Sequence, residues 1–409
     1  MPNKWRQSDL RTKTPVARPG PGMIAAVSRM DNTMDLFWVG PDGSVNNARW
    51  YDMGDRQWES GELLPPGSAS VTGGIAAISR DRNAIEIFWI GPDGAVRQGR
   101  WSDDREQPGG LWDFSAFAPP GSASATSGIA AVSRRPDTKE VFWVAPDSSL
   151  RNAFLYDSTR EWKFGRLAGN AALDSHVTAV SRNADNLDVV YSEAVIFDEV
   201  FKWIPIVVPN PNYFPTFDEN GMLIQDPLNP EYLETGEFYG ETKKVSRYHL
   251  VICRWSDDSK TSGLKGVWRT EPLYYTKTLS AAAAVCRNPD TIEIFYVEHG
   301  GALHHSFWYE GGARWQHSAL TPPLEASPFG GVTATARKSG TIEVMWISLR
   351  GEVNNIYWYD GHPWKTYHQT DPDAASNEGD IALISRIPES LEAFWVGSSG
   401  KLTNGYWYE

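Results

Sequence analysis

Seven arginines and seven acids recur in this chain at one fixed spacing. Each Arg ends a short apolar segment, and the acid follows six residues later. Side chains at the two ends of such a short connection can pair across the strands of a hairpin. Because every Arg brings its own acid, the pattern predicts seven hairpins of equal register rather than a ring of arginines that binds an anion. The pairs are Arg29 and Asp35, Arg80 and Glu86, Arg134 and Glu140, Arg182 and Asp188, Arg287 and Glu293, Arg337 and Glu343, and Arg386 and Glu392.

Two copies depart from this pattern with side chains suited to acid–base chemistry. The residue before each apolar segment is small in four copies, whereas it is His176 in the fourth copy and Asp380 in the seventh. Such a pair could act as acid and base across a central opening. These two residues, with His299 in a turn of the fifth copy, are weak catalytic candidates. The catalytic residues are otherwise unknown, because no nucleophile elbow, paired-histidine zinc helix or phosphate loop is present.

His304 and His305 are the next candidates for chemistry. Neighbours on a strand point to opposite faces, so these two side chains cannot easily share one metal ion. We therefore predict neither a metal site nor a cofactor.

A third set of residues has the composition of a saccharide site. Early in the third segment of several copies stands a planar polar side chain near aromatic rings, and one long insertion adds further aromatics. Sugars need hydrogen-bonding groups for their hydroxyls and a ring face for their C–H side. The predicted ligand-binding residues are Arg97, Arg151, His304 and Asn354 from the copies, and Trp203, Tyr213 and Tyr239 from the insertion.

The elements that position these residues form an internal repeat. Copies start about 50 residues apart, and each holds four strand-like segments, which is typical of a β-propeller with one blade per repeat. Eighteen of the 19 Trp fall at repeat positions, where wide rings pack one blade on the next. The last copy stops after its third segment, and Trp5 to Leu10 has the spacing of the missing fourth one. We predict an all-β, seven-bladed propeller of four-stranded blades in which the N-terminal strand completes the last blade.

Residues 193–248 interrupt the fourth blade and form its largest departure from the repeat. They replace the turn between the second and third strands, so we expect an insertion on the ligand face of a single propeller domain that spans residues 1–409. The sequence is consistent with two roles for this insertion: a surface flap that has its own small core, or a lid over the central opening.

Charge and composition exclude several partners. The net charge of −13 argues against nucleic acid and anionic membrane surfaces. No segment approaches the length of an apolar membrane span, and residues 1–10 have no apolar signal core, which favours a soluble protein, cytoplasmic or secreted without a visible signal peptide. Cys253 and Cys286 lie in adjacent blades; a bridge is possible, but two buried free thiols are favoured.

The repeat resembles that of bacterial and fungal seven-bladed propeller lectins of the Photorhabdus fucose-binding type, and more loosely tectonins and six-bladed fungal fucose lectins. The resemblance is carried by the acid–apolar–aromatic second strand, the small polar turn and the Trp-led outer strand, as in Glu293-Ile294-Phe295 and Glu140-Val141-Phe142. It implies a small saccharide or glycan as ligand, with fucose or another deoxy-sugar expected, bound between blades at several sites.

Two other classes of function share this fold. Some propeller enzymes, namely polysaccharide lyases and cyclisation enzymes, are similar at this level, and they would place one pocket at the propeller mouth under the insertion. A protein-interaction platform is the third possibility. Fold alone cannot choose among them.

Overall fold

Strands dominate the computed structural model of the protein. It describes residues 5–10, 12–17, 22–52, 57–103, 110–209, 211–212, 216–219, 222–224, 232–257, 266–276, 281–312 and 314–409. For residues 196–209, 216–217, 223–224, 232–247 and 274–276 only the backbone path is described. In the described part of the chain no helix is long and apolar enough to cross a membrane.

Seven antiparallel four-stranded sheets form the blades, as predicted. The strands of blades 1 to 3 are β2 (Ile24–Val27), β3 (Thr33–Val39), β4 (Val45–Tyr51) and β5 (Glu59–Leu64); β6 (Ile75–Asp81), β7 (Ala84–Ile90), β8 (Val96–Ser102) and β9 (Leu111–Ala118); and β10 (Ile129–Val132), β11 (Thr138–Val144), β12 (Leu150–Tyr156) and β13 (Lys163–Ala168).

The remaining blades repeat that order. Blade 4 holds β14 (Thr178–Val180), β15 (Asn186–Pro209), β18 (Tyr232–Ser256) and β19 (Arg269–Thr276). Blade 5 holds β20 (Ala282–Val285), β21 (Thr291–Val297), β22 (Leu303–Tyr309) and β23 (Gln316–Ala319). Blade 6 holds β24 (Val332–Thr335), β25 (Thr341–Ile347), β26 (Val353–Tyr359) and β27 (Lys365–His368). Blade 7 holds β28 (Ile381–Ile384), β29 (Ser390–Val396), β30 (Leu402–Tyr408) and β1 (Arg6–Asp9).

The ring closes through the N-terminal strand, which confirms the prediction. Strand β1 pairs with β30, with Arg6 opposite Tyr406 and Ser8 opposite Asn404. Trp5 packs against the core of blade 7 that contains Trp395. The first strands of successive blades contact one another around the whole ring, and β28 of blade 7 contacts β2 of blade 1. Neither end of the series of blades is therefore left as an unpaired sheet edge.

The second strand of each blade forms the centre of the core. Six of these strands are buried along their whole length, because sheets on both sides cover them. Five of them have a Trp as the last residue but one, and these rings are buried. The indole N–H groups of Trp89, Trp143, Trp346 and Trp395 each donate to a backbone carbonyl on the crossing from the preceding blade. In most blades the Trp expected to open the outer strand lies just before it.

All seven predicted Arg–acid pairs form, with N···O distances from 2.8 to 3.8 Å. Both side chains of every pair are buried, with at most 8% of either side chain exposed. Six of the arginines also lie over a Trp ring of the next blade, 4.2 to 5.1 Å from its centroid. The pair therefore belongs to the contact between two blades as well as to its own hairpin.

Close packing between blades explains why the residue directly before the first strand of several blades is small. A Cβ at Gly74, Gly128 or Gly331 would lie 2.7 to 2.8 Å from a backbone nitrogen of the next blade. Such close approach leaves no room for a side chain.

Residues 195–247 form a compact unit of their own. Strand β15 extends into this unit and β18 leaves it, and a short hairpin pairs β16 (Thr216–Phe217) with β17 (Leu223–Ile224). The insertion therefore contains regular strands. Cys253 and Cys286 are free thiols; Cys253 is buried, and Cys286 is partly buried.

Candidate functional site

Each interface between two neighbouring blades, here called a seam and named by its blades, is built from the same positions. The earlier blade contributes the acid of its second strand and, on the same face, the third, fifth and seventh residues of its third strand. In blade 7 these are Glu392, Asn404, Tyr406 and Tyr408. Alternate residues of a strand share a face, which brings the last three side chains together. The later blade contributes a Trp beside its fourth strand and, in every blade except blade 3, a second Trp from its third strand.

The 7/1 seam contains a cavity of about 630 Å³. The Tyr408 hydroxyl donates to Glu392 Oε1 at 2.6 Å, and the Asn404 amide donates to Glu392 Oε2 at 3.3 Å. Trp50 and Trp58 of blade 1 line the cavity. Other lining residues come from the N-terminal strand and blade 1, and they include Arg6, Ser8, Asp9, Leu10, Met34, Asp52 and Gln57.

The 6/7 seam repeats this cavity, with a volume of about 570 Å³. The Tyr359 hydroxyl donates to Glu343 Oε1 at 3.0 Å, and the Asn355 amide donates to Glu343 Oε2 at 3.4 Å. The ring of Tyr357 stacks on Tyr367 with centroids 5.6 Å apart. Its other lining residues are Trp5, His368, Gln369, Leu391, Trp407 and Glu409. Met34, Trp50, Asp52 and Trp58 of the first cavity correspond to Leu391, Trp407, Glu409 and Trp5 here.

Burial governs the electrostatics of both cavities, which we call the open seams. It raises the pKa of Glu343 and of Glu392, while the neighbouring Arg, Tyr and Asn groups lower it. Arg337 and Arg386 compensate these carboxylates from inside the protein, and each lies over a Trp that lines the same cavity. Each open seam therefore presents a partly neutralised carboxylate, an amide and several ring faces.

Three other seams, which we call closed, hold a basic side chain of the protein itself at the acid. In the 2/3 seam Lys139 Nζ lies 2.9 Å from Glu86 Oε1 and 5.3 Å from the centroid of the Trp162 ring. In the 4/5 seam Arg254 Nε lies 2.9 Å from Asp188 Oδ1, and the guanidinium is 4.3 Å from the centroid of Trp308.

The 5/6 seam uses a histidine instead. His305 Nε2 lies 2.5 Å from Glu293 Oε2, and its ring stacks on Phe295 and Phe307 with both centroid distances at 4.7 Å. Trp364 stands edge-on to it at 5.5 Å.

The last two seams fall between these types. In the 1/2 seam Arg49 turns toward the exposed Glu59, 2.7 Å away, and Asp35 Oδ2 stays 3.8 Å from Arg29 Nε. In the 3/4 seam Glu140 Oε2 and Asn152 Oδ1 are buried without a hydrogen-bond partner in the described structure.

The predicted ligand residues from the third strands lie apart from the open seams, and in the described part of the chain only Asn354 among them contacts a residue that lines one of the two cavities. Arg97 is held by Asp93 and by the Ser68 carbonyl. Arg151 binds Asp147 and lines a separate cavity of about 570 Å³ beside the crossing from blade 2. His304 pairs with Glu298 at 3.2 Å. Asn354 is buried, and its Oδ1 lies 2.7 Å from Nδ1 of His368, which lines the 6/7 cavity.

The three catalytic candidates occupy different surroundings. The Asp380 carboxylate accepts backbone N–H groups of Ile24 and Ile381, and burial raises its pKa to about 6. Burial lowers the pKa of His176 to about 4, and its Nδ1 has no hydrogen-bond partner in the described structure. A Cβ at Gly22 would lie 3.9 Å from His176 Nε2, so both residues adjoin the start of blade 1. His299 is exposed in its turn. The hydrogen bonds of Asp380 hold the closing seam of the ring.

The aromatic candidates of the insertion are not described. Tyr213 lies outside the described residues, and for Trp203 and Tyr239 the described part of the structure includes no side chain.

Sequence reasoning missed the open seams, although a signal for them is present. It interpreted the acids as hairpin register alone and looked to the start of the third strands for ligand contacts. The distinguishing feature is Asn at the third position together with Tyr at the fifth, as in Asn355 and Tyr357 or Asn404 and Tyr406. Each closed seam instead has a basic side chain: His305 at the third position, Arg254 at the fifth, or Lys139 at a position of the second strand that is apolar in the open seams.

Solved propeller lectins share this architecture. The chain is similar to the BP39L lectin of Burkholderia pseudomallei, with 16% identity, a TM-score of 0.71 and coverage of 95% of this chain and 96% of that one. It is also similar to the six-bladed fucose-recognising lectin of Aleuria aurantia, with 16% identity, a TM-score of 0.52 and coverage of 84% and 94%. AofleA of Arthrobotrys oligospora gives 12% identity, a TM-score of 0.51 and coverage of 89% and 90%.

No protein-family model and no curated protein matches the chain. At these identities the likeness to solved structures concerns the fold, and the expected resemblance to propeller lectins is confirmed at that level. The Photorhabdus fucose-binding subtype stays a prediction.

Proposed function

We propose that the protein is a carbohydrate-binding, lectin-like propeller whose ligand sites are the 6/7 and 7/1 seams. The observation that supports this most is the repetition of one cavity in two adjacent seams, each with a buried carboxylate, an amide and facing aromatic rings. The fold likeness adds support, since one similar lectin, SapL1, is a complex with α-methyl fucoside and covers 85% of this chain at a TM-score of 0.53.

The chemistry of the cavities fits a small sugar. Glu392 and Glu343 can accept hydrogen bonds from sugar hydroxyls, whereas Asn404 and Asn355 can both donate and accept. The Trp and Tyr walls offer ring faces to the apolar C–H side of a pyranose. A deoxy-sugar such as fucose adds a methyl group that these walls can cover. Two equivalent sites on one ring would give avidity for a multivalent glycan.

A glycan array followed by calorimetry with methyl α-L-fucoside tests the proposal. Two sites per chain are expected. The variants Tyr357→Ala and Tyr406→Ala should each remove one site, because each deletes a ring from one cavity. Phe307→Ala is the matched control, since it removes the ring at the same repeat position in the closed 5/6 seam, and it should leave the stoichiometry unchanged. Absence of binding to any neutral or deoxy sugar at millimolar concentration would contradict the proposal.

Among the described residues no observation favours the alternative of a single-site enzyme. The position of the insertion 193–248 on the ligand face also stays a prediction. Replacing residues 195–247 with a short Gly/Ser linker tests both, because an insertion that completes a pocket is needed for turnover or tight binding. Full sugar binding by the shortened chain would place the function in the seams alone.

A further inference from the structure

We propose that the open seams bind a cationic saccharide, an amino sugar whose protonated amine takes the position that the chain's own cation occupies in the closed seams. This inference rests on the proposed function and names the ligand class of the same sites.

The closed seams show what the common surroundings accept. Lys139, Arg254 and His305 each place a nitrogen within 2.9 Å of the seam acid. The Lys139 ammonium, the Arg254 guanidinium carbon and the centre of the His305 ring lie within 5.5 Å of a Trp ring centroid of the later blade. A carboxylate beside an aromatic face is a setting that favours a cation.

These three basic side chains reach the acid from different places in the repeat. Lys139 comes from the second strand of the later blade, where the open seams have Met34 and Leu391. Arg254 aligns with Tyr406, the fifth residue of a seven-residue third strand, and His305 is the third residue of its own third strand. Three unrelated substitutions thus bring a basic nitrogen to one spot, so the preference belongs to the spot and not to one repeat position.

The open seams keep the acid and the rings and lack such a side chain at these positions. Met34 and Leu391 are apolar, the third residue is Asn404 or Asn355, and the fifth is Tyr406 or Tyr357, all described and all lining the cavities.

The described residues that line each cavity also include more carboxylates than Arg or Lys side chains. Glu343 and Glu409 line the 6/7 cavity, whose described lining includes no Arg or Lys; Arg337 binds both acids from behind. In the 7/1 cavity three carboxylates, Asp9, Asp52 and Glu392, face two guanidinium groups, Arg6 and Arg386. An ammonium group on the ligand would add positive charge to both cavities.

The amine must be carried by a sugar because the cavities are larger than the head of one side chain. Cavities of about 570 and 630 Å³ have room for a sugar ring beside the amine. The remaining Tyr and Trp faces and the Asn amides would then contact the ring and its hydroxyls.

Titration of the intact protein with matched sugars tests the inference. The probes are methyl glucosaminide, methyl N-acetylglucosaminide, methyl α-L-fucoside and methylammonium, at a pH that keeps the sugar amine protonated. We expect the amino sugar to bind at least tenfold more tightly than its acetylated form, and its affinity to fall as salt is added. We also expect methylammonium alone to bind far more weakly than the amino sugar.

Charge variants at the rim locate the effect. Glu409→Gln in the 6/7 seam and Asp52→Asn in the 7/1 seam should each weaken the amino sugar at one site by several-fold and weaken methyl α-L-fucoside much less. Glu310→Gln, the equivalent residue in the closed 4/5 seam, is the matched control and should change neither. Thermal melting verifies that each variant is folded.

The outcomes separate this inference from the proposed function. Equal affinity for the amino sugar and its acetylated form overturns the inference, while binding of the neutral sugars keeps the lectin proposal. Binding of methylammonium as tight as that of the amino sugar overturns the saccharide part of the inference. If no sugar binds, both proposals fail.

Discussion

The 4/5 and 7/1 seams each have a buried acid, Asp188 or Glu392, that pairs with an internal Arg, and each has two Trp of the following blade, yet one seam is filled and the other holds a cavity. In the 4/5 seam Arg254 spans the space between Asp188 and Trp308. In the 7/1 seam Tyr406 stands at that position and lines about 630 Å³. The residues at the fifth position, Arg254 or Tyr406, and at the third, Ile252 or Asn404, therefore distinguish a structural contact from a candidate binding site.

The difference shows how a repeat protein can vary function without changing its fold. Blade packing depends on the buried Arg–acid pair and on the second-strand core, which are present in every blade. Blade packing does not fix the residues in the outer part of each seam, so a basic side chain, an aromatic ring or an amide can occupy it. Where a basic side chain is present, as in the closed seams, it pairs with the acid. Where it is absent, as in the open seams, we propose that the acid contacts a ligand.

Removing residues 1–10 should have the largest effect, because it damages the closing blade and both open seams together. The chain would lose the strand paired with β30, the wholly buried Leu10 and the Trp5 wall. Loss of such buried side chains costs about 3–5 kcal/mol, a large part of a typical stability of about 5–15 kcal/mol. Thermal melting and sugar titration measure both losses. Deleting residues 1–3 is the control and should be silent; a chain without residues 1–10 that melts like the intact protein would contradict the closure described here.

Arg254→Met should destabilise the protein by about 3 kcal/mol, since it leaves the buried Asp188 with one of its two cations. The change retains the length of the apolar stem, so the loss reflects charge more than packing. Arg49→Met is the matched control at the same repeat position. Arg49 is 48% exposed and pairs with an exposed acid, so the cost should stay below about 1 kcal/mol. Urea unfolding of the two variants gives the comparison, and equal costs would show that closed and intermediate seams do not differ in this way.

Asp35→Glu should raise the free energy of unfolding at neutral pH by about 1 kcal/mol, because the longer side chain can form a close hydrogen-bonded pair with Arg29. Burial raises the pKa of Asp35 from 3.8 to about 6 in the folded protein. The folded state therefore holds its proton more tightly than the unfolded state, and this group lowers stability as pH rises from about 4 to about 6. The longer side chain can approach Arg29 as Glu293 approaches Arg287, at 2.8 Å.

Unfolding at pH values on either side of that window checks the sign. The variant should lose less stability than the parent protein as the pH rises. Asp188→Glu is the control, because Asp188 already contacts two arginines at 2.9 and 3.0 Å and should gain nothing. A variant with the parent's pH dependence would show that distance to Arg29 is not the cause.

The sequence predicts the fold well because the fold depends on features that recur in each copy. The Arg–acid spacing, the Trp positions and the split last copy are local patterns, and each maps onto one strand position. The open seams depend on residues from two blades, such as Tyr357 and Trp5, that are far apart in sequence. Burial of the Arg–acid pairs is hidden for the same reason, since the Trp that covers six of the seven arginines comes from the next copy.

His305→Asn should convert the closed 5/6 seam toward an open one. Asn is the residue at this position in both open seams, where its amide donates to the second oxygen of the acid. In the variant the new amide can make that contact with Glu293, and the space of the imidazole ring beside Trp364 becomes available to a ligand. The lost ring contacts should cost about 1–2 kcal/mol, a range consistent with aromatic pairs and modest loss of buried area. Calorimetry should then give about one more site per chain, weaker than the other two because Phe307 replaces their Tyr. His304→Asn, on the opposite face of the same strand, is the matched control and should add no site. If His305→Asn folds and still binds at two sites only, Asn and the acid are not sufficient, and the Tyr at the fifth position is what makes a seam into a site.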